Sequence, residues 1–290
     1  MKILITGHMG FVGRNFIKAL GEKHEIVGID IKEGNDCRDF FRYRRDHFDL
    51  VIHLAAIVGG RATIEGEPLK VATDLSIDAE FFNWVSITKP TDVVYFSSSA
   101  AYPTVLQEGM EYKLRERDIN LERIGNPDLT YGWAKLTGEM LAEFVTDSNM
   151  YVFRPFSGYG SDQDNSYPFP AFIDRALAKA DPFDIWGDGE QARDFIHIYD
   201  IVDAVLFHVE NKIVGTFNLC NGVGTTFNEL AKMVCDLAGY SPEFRHNLDA
   251  PEGVRYRVGN PYLSHSIFQP KTSLTQGILK ALSERAQAVE

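Results

Sequence analysis

The sequence predicts an α/β fold: a doubly wound, Rossmann-type parallel sheet with a smaller mixed α/β part at the carboxyl end. Strand-length apolar runs recur at Ile3–Thr6, Glu25–Ile29, Leu50–Leu54, Val93–Ser97 and Tyr151–Phe153, and stretches of helical character, Phe11–Leu20, Leu69–Val85 and Tyr131–Thr146, fall between them. Strands that alternate with helices build a parallel sheet through right-handed crossovers. The first strand also runs directly into the glycine turn Gly7-x-x-Gly10-x-x-Gly13.

The Gly/Pro-rich stretch from Pro155 to Pro170 breaks this rhythm and sets the expected boundary. Residues 1–155 are expected to form the sheet domain, with 193–210 returning to it, and 156–290 the smaller domain. Within that later part Phe183–Trp186 and Gly215–Leu219 read as short strands. Asp203–Val209 and Thr226–Ala238 read as helices, the second capped by Thr225 or Thr226. The sequence has no internal repeat or low-complexity tract.

Composition narrows the class. A chain of 290 residues can bury a continuous core without disulfide or metal staples. Its apolar fraction of 44% and charged fraction of 24% are ordinary for a globular protein. No apolar run reaches the roughly 18 residues that a bilayer span needs, so a soluble protein is expected. Met1–Thr6 has no basic stretch, apolar block and small-residue cleavage site, so no leader is expected. Cys37, Cys220 and Cys235 lack C-x-x-C spacing, which argues against a disulfide framework and a zinc site and for the reducing cytoplasm. A net charge of −12 disfavours nucleic acid as the main partner, because phosphate contacts need clustered Lys and Arg.

The glycine turn lies between a strand and a helix. Gly7, Gly10 and Gly13 permit a tight turn, close approach to a pyrophosphate and close helix packing, while the helix start at Phe11 and Val12 offers free N–H groups to an anion. A purely structural strand-to-helix turn has the same pattern. Asp30, at the end of the second strand, strengthens the dinucleotide reading. Its carboxylate suits ribose hydroxyls and repels a 2′-phosphate, which favours NAD, with NADP the alternative because Lys32 is close by. Asp36 fits either the adenine amino group or a solvated turn.

Tyr131 and Lys135 are four residues apart and share one helix face. An ammonium beside the phenol is expected to lower its pKa and fit it for acid/base work at a carbinol oxygen, although a surface pair has the same spacing. Ser97-Ser98-Ser99 ends the Val93–Phe96 strand, where a hydroxyl can hold the same oxygen. The glycine turn, Asp30, Leu54-Ala55-Ala56, the serines and Arg154-Pro155-Phe156 all follow carboxyl ends of predicted strands, and those ends form the ligand crevice of an open parallel sheet.

These residues resemble the extended short-chain dehydrogenase/reductase family, in its nucleotide-sugar epimerase/dehydratase branch. TGHMGFVG, HLAA, SSSAAYP, YGWAK, FRPFSGYG, WGDGEQARDFIHIYD and PKTSLTQGI occur in family order along nearly the whole chain. The resemblance implies Ser98 as the catalytic hydroxyl, with Ser99 as the substitute, Tyr131 as acid/base and Lys135 as its partner and a ligand of the nicotinamide ribose. It places Gly7, Gly10, Phe11, Val12, Gly13, Asp30, Asp36, Leu54, Ala55, Ala56, Ser97 and Pro155 at the cofactor. Gly60, Ser99, Arg193 and Arg255 fall at the substrate, the two arginines as a diphosphate clamp. It makes Asp194, His197 and Asp200 structural rather than metal ligands, and implies a homodimer built through helices.

Departures from the family pattern narrow the chemistry. Dehydratases of the branch carry Asp-Glu where this chain has Ser99-Ala100, and 3,5-epimerases and fucose synthases carry a cysteine where Ala100 stands. The loop Gly160–Gln163 lacks the fucose synthases' histidine. The short interval between Asp30 and Asp36 lacks a strand usual in the family, and Asp74 and Leu75 stand near a position often held by Asn. The remaining set implies NAD-dependent C4 epimerisation of a nucleotide sugar through a 4-keto intermediate. The alternatives are a 4-keto-sugar reductase consuming NAD(P)H and a non-catalytic dinucleotide-binding regulator.

Overall fold

The computed structural model describes residues 1–109 and 111–289. Its central sheet has six strands in the order β2-β1-β3-β4-β5-β9, every neighbouring pair parallel. These are β1 (Lys2–Thr6), β2 (Glu25–Ile29), β3 (Leu50–His53), β4 (Asp92–Phe96), β5 (Asn149–Pro155) and β9 (Gly215–Leu219).

Alternation along the strands explains the double winding, because successive side chains point to opposite faces. Ile3, Ile5, Ile52, Val94, Phe96 and Phe153 pack on one face with Phe16 and Leu20 of α1 (Phe11–Leu20) and Ile201 and Val205 of α8 (Ile198–Glu210). Leu4, Val51, Val93, Tyr95 and Val152 pack on the other face. There they meet Phe41 of α2 (Cys37–Tyr43), Phe81 and Trp84 of α5 (Thr73–Thr88), and Ala142 of α6 (Leu129–Ala142). Strands apolar on both faces suit a sheet covered on both sides.

The chain leaves β1 toward β2 on one side, then returns to place β3 on the other. The crevice between the ends of β1 and β3 is therefore the topological switch point, where ligands bind in such sheets. Beyond β2 there is no further strand among the described residues; a 3₁₀ turn at Ile31–Glu33 leads into α2.

The predicted helix Leu69–Val85 is two helices, α4 (Pro68–Val71) and α5, preceded by α3 (Arg61–Gly66). The α8 helix begins five residues earlier than Asp203, because the His197 ring nitrogen caps it by accepting the Tyr199 N–H at 3.2 Å. The smaller part centres on β8 (Ala192–His197), paired with β6 (Ser157–Tyr159), β10 (Gly224–Thr226) and β12 (Tyr256–Arg257). A second ladder joins β7 (Phe183–Trp186) to β11 (Phe244–Asn247). The helices α7 (Pro168–Leu177), α9 (Phe227–Leu237) and α11 (Leu274–Val289) close over them around Phe172, Phe183 and Leu230. Thr226 caps α9 in a reciprocal box with Glu229. A short helix, α10 (Tyr262–Ile267), packs near β9. Of the stretch 193–210, α8 packs on the central sheet, whereas residues 193–197 belong to β8. The chain stays with the central sheet through β9.

Candidate active site

A cavity of about 1150 Å³ runs from the glycine turn, past the carboxyl ends of the central strands, to α7, β8 and the segment before β12. Its wall contains Gly7, Gly10, Phe11, Val12, Gly13, Asp30, Asp36, Leu54, Ala55, Ala56, Gly60, Ser97, Ser98, Ser99, Tyr131, Lys135, Pro155 and Arg193. Arg255 is not in that wall.

At the glycine end, Gly7 has φ +71°, and a Cβ there would sit 2.9 Å from the Ala55 nitrogen. A Cβ on Gly13 would overlap the Gly7 carbonyl oxygen and lie 2.6 Å from the His8 Cα. The turn therefore packs backbone on backbone, bringing the start of α1 to the cavity wall, and the N–H groups of its first turn have no acceptors within the helix. These residues form a cradle that fits a dinucleotide pyrophosphate. Asp30, 7% exposed, ties the turn to the end of β2: its carboxylate accepts the Met9 and Lys32 N–H groups, each at 2.9 Å. Lys32 Nζ donates to the Met9 carbonyl. Asp36 caps α2 through the Arg38 N–H and receives the Arg38 guanidinium, whose hydrogen bonds hold its carboxyl below the usual range.

At the reacting end, Ser98 starts a 3₁₀ turn by accepting the Ala100 N–H at 3.1 Å. Asp128 stands at the N-cap position of α6, one turn before Tyr131, with its carboxylate turned to arginines instead of the helix N–H groups. The expected depression of the Tyr131 pKa is not found. Burial raises the phenol, Asp74 raises it further, and the Ser98 hydroxyl pulls it down. Burial is the main cause, and Lys135 acts on other groups as well. Lys135 is 3% exposed, and its ammonium lies 5.2 Å from the Tyr95 ring centre and acts on the buried carboxyls of Asp74 and Asp78. Asp78 is well served, accepting from the Tyr95 hydroxyl at 2.5 Å and paired with His53 Nε2 at 3.2 Å. Ser97 donates to Glu139, which forms a two-point ion pair with the buried Arg154; Arg154 reaches Tyr102, and Tyr102 donates to Asn218. This gives Asn218 a place, as the far end of a buried polar chain behind the serine strand.

At the far end the cavity wall carries the guanidiniums of Arg61, Arg193 and Arg257 beside the carboxylates of Asp128 and Glu252. Arg61 and Arg257 both reach Asp128, at 2.8 and 2.7 Å. Burial opposes ionisation of Asp128, but the two arginines outweigh it and hold the carboxyl below its usual range. Among the described residues Arg193 bonds only to the carbonyls of Ala192, Glu252 and Val254, and it is pushed down to about 9 by burial, then by Arg257 and Arg61. A cation so placed favours an anionic ligand. Arg255 lies in the loop before β12, paired with Asp188 at 2.8 Å, and Arg257 occupies the cavity instead. Parallel pairing sets Arg257 beside Arg193. Arg257 escaped sequence reasoning, although it is only two residues from the arginine it replaces.

Asp194 accepts three backbone N–H groups, from Asn221, Gly222 and Gly259, and Asp200 accepts those of Lys271 and Thr272. Among the described residues no cluster of His, Cys, Asp and Glu is arranged to hold a metal ion.

A family model described as the NAD dependent epimerase/dehydratase family matches residues 3–220. The chain is similar to a GDP-L-colitose synthase of Yersinia pseudotuberculosis, 26% identical with 97% of this chain and 96% of the relative covered. A dTDP-4-dehydro-6-deoxy-D-allose reductase of a Streptomyces species is 28% identical, with 88% and 87% covered. In fold the chain is similar to the UDP-glucose 4-epimerase of Thermotoga maritima, with a TM-score of 0.85, 24% identity and full coverage of both chains. It is also similar to the UDP-glucuronic acid 4-epimerase of Bacillus cereus, with a TM-score of 0.82, 22% identity and coverage of 99% and 100%.

Proposed function

The chain belongs to the NAD dependent epimerase/dehydratase family, and on that premise we propose that it interconverts C4 epimers of a nucleotide sugar, using NAD. One observation carries the reading. A single cavity joins a pyrophosphate cradle, a serine–tyrosine–lysine set and an arginine cluster suited to a diphosphate.

Gly7, Gly10, Gly13 and the first N–H groups of α1 would hold the NAD pyrophosphate, and Asp30 its adenine ribose. NAD is favoured over NADP because a 2′-phosphate would meet Asp30, while the nearby cations Lys32 and Arg38 are engaged by Met9 and Asp36. When bound, NAD supplies reversible hydride acceptance at the sugar carbon. The protein's own residues do the rest. Ser98 holds the C4 oxygen, and Tyr131 takes the hydroxyl proton and later returns it. Arg193, Arg257 and Arg61 keep the diphosphate anchored while the 4-keto sugar turns to present its other face. Ala100 supplies neither the carboxylate for dehydration nor the thiol for C3/C5 proton abstraction.

A second reading, a 4-keto-sugar reductase, draws support from the similarity to the dTDP-4-dehydro-6-deoxy-D-allose reductase of Streptomyces. It uses the same residues but consumes one reduced cofactor per turnover. A third, a non-catalytic regulator, leaves Ser98, Tyr131 and Lys135 without a task. Screening UDP-, GDP-, dTDP- and CDP-sugars by thermal shift and product analysis identifies the substrate. Epimer interconversion without net NAD(P)H loss supports the first reading, and stoichiometric NAD(P)H oxidation with a 4-keto sugar the second. Tyr131→Phe should abolish turnover with NAD affinity nearly unchanged; full activity in that variant, measured beside NAD calorimetry, would reject this mechanism.

We further infer a homodimer, supported by exposed apolar side chains on the outer faces of the packed pair α5 and α6, among them Ile87, Trp133 and Met140, with Phe144 just beyond. The unpaired, buried Cys37, Cys220 and Cys235 suit the reducing cytoplasm.

A further inference from the structure

The chemistry proposed above leaves one buried acid without a task. Asp74 lies in the first turn of α5 and is 1% exposed. Its Oδ1 accepts the Ile57 N–H at 2.6 Å, whereas its Oδ2 is buried with no hydrogen-bond partner among the described residues. Buried carboxylate oxygens are normally served, since an orphaned one costs free energy. Asp78, one turn along the same helix, has a partner on each oxygen. The contrast separates a structural acid from one that gains little by being where it is.

The surroundings of Asp74 point toward the reacting end. The helix α5 packs against α6, whose Lys135 ammonium and Tyr131 phenol act electrostatically on Asp74, as Asp78 does from its own helix. Behind Asp78 stand His53 of β3, Tyr95 of β4 and the Cys37 thiol of α2. The remaining nearby cations are engaged elsewhere: Arg38 bonds to Asp36 and Ser76, Lys70 to Glu67, and Arg61 to Asp128 and Glu65.

We propose that Asp74 is a positioning residue of the hydride-transfer site, whose carboxyl governs the proton affinity of Tyr131 and the electrostatic engagement of Lys135. The inference rests on the reading of Tyr131 as acid/base. Ionised, Asp74 draws on the Lys135 ammonium and disfavours a second negative charge on the phenol. Protonated, it releases both constraints. Burial pushes the Asp74 carboxyl up to about 6, with Lys135 opposing, so both states lie near working pH. Such groups titrate as a coupled set.

The test uses the full chain with NAD bound. Asp74→Asn keeps the side-chain shape and an acceptor for the Ile57 N–H while removing the charge. Two readouts are compared with wild type: the pH dependence of kcat on the nucleotide sugar found by screening, and the phenolate absorbance of Tyr131, isolated by subtracting the matching Tyr131→Phe protein. The phenol should titrate at lower pH in the variant, by about one unit, equivalent to a tenfold change in proton affinity. The rising limb of kcat should move the same way with NAD affinity unchanged. Superimposable profiles would overturn the proposal, whatever the effect on thermal stability. Asp74→Ser, which retains a hydroxyl acceptor, should give the same shift and serves if the Asn variant does not fold. An active Tyr131→Phe protein would instead overturn the underlying reading. An inactive Tyr131→Phe protein, combined with an unmoved Asp74→Asn profile, leaves that reading standing and removes this inference alone.

Discussion

Tyr131 and Lys135 share a helix face by spacing alone, but the field they work in comes from residues distant in sequence. Lys135 was expected to act on the phenol; α5 brings Asp74 and Asp78 to it, and burial with Asp74 turns the Tyr131 shift upward. Asp74 also has a consequence for stability. Its ordinary value of 3.8 in the unfolded chain rises to about 6 in the folded one, so the native state holds that proton more tightly. The stability this group contributes is complete below 3.8 and is lost as pH rises through about 6. Asp74→Asn lacks this dependence. The difference in Tm, variant minus wild type, should grow in the variant's favour across that window and level off above it; thermal melts over a pH series would check this. The serine–tyrosine–lysine set was legible because its members stand in recognisable local motifs. Arg257 was not, because only the pairing of β12 with β8 brings it to the cavity; Asp74 was legible only as standing near a position often held by Asn, and its surroundings come from the packing of α5 on α6.

At the level of elements, the glycine turn is the most constrained piece. Gly13→Ala would push a methyl into the backbone of Gly7 and His8, atoms that cannot yield as a flexible side chain can. The cradle should shift by a fraction of an ångström or more, and NAD affinity should fall at least about tenfold, because misplacements of that order are costly at preorganised sites. Titration calorimetry would measure it. Gly66→Ala, where an added Cβ meets nothing within 4 Å, should leave affinity unchanged. Elements with clean local signals were legible to the residue: Phe11–Leu20, Glu25–Ile29, Phe183–Trp186 and Gly215–Leu219. Those whose signal is masked were not. The β8 strand carries Arg193, Asp194 and His197, and these ionisable side chains hide its alternation; Asp194 tolerates burial there because three backbone N–H groups meet it. The α2 helix is short, with charged residues at Arg38, Asp39 and Arg42, and its place comes from Phe41 packing against Phe81 and Trp84.

For the whole molecule, α5 and α6 lie side by side on one face of the sheet and leave Trp133, 43% exposed, and Phe144, 75% exposed, facing outward. Grouped large apolar side chains at a surface mark an association site. Replacing both by Glu should convert a dimer to a monomer with the fold retained, as read by sedimentation and circular dichroism; a double variant that sediments like wild type would exclude this face as the interface.

The sequence by itself determined the alternating strands and helices, the glycine turn and the Tyr131–Lys135 spacing, because these patterns follow from interactions over a few residues. Only the tertiary structure decided that Arg257 rather than Arg255 lines the cavity and that α5 sets Asp74 beside the helix of the reacting pair. Those outcomes depend on strand pairing and helix packing between distant segments. Local spacing specifies which way a side chain leaves its element, whereas the groups it meets depend on how those elements assemble.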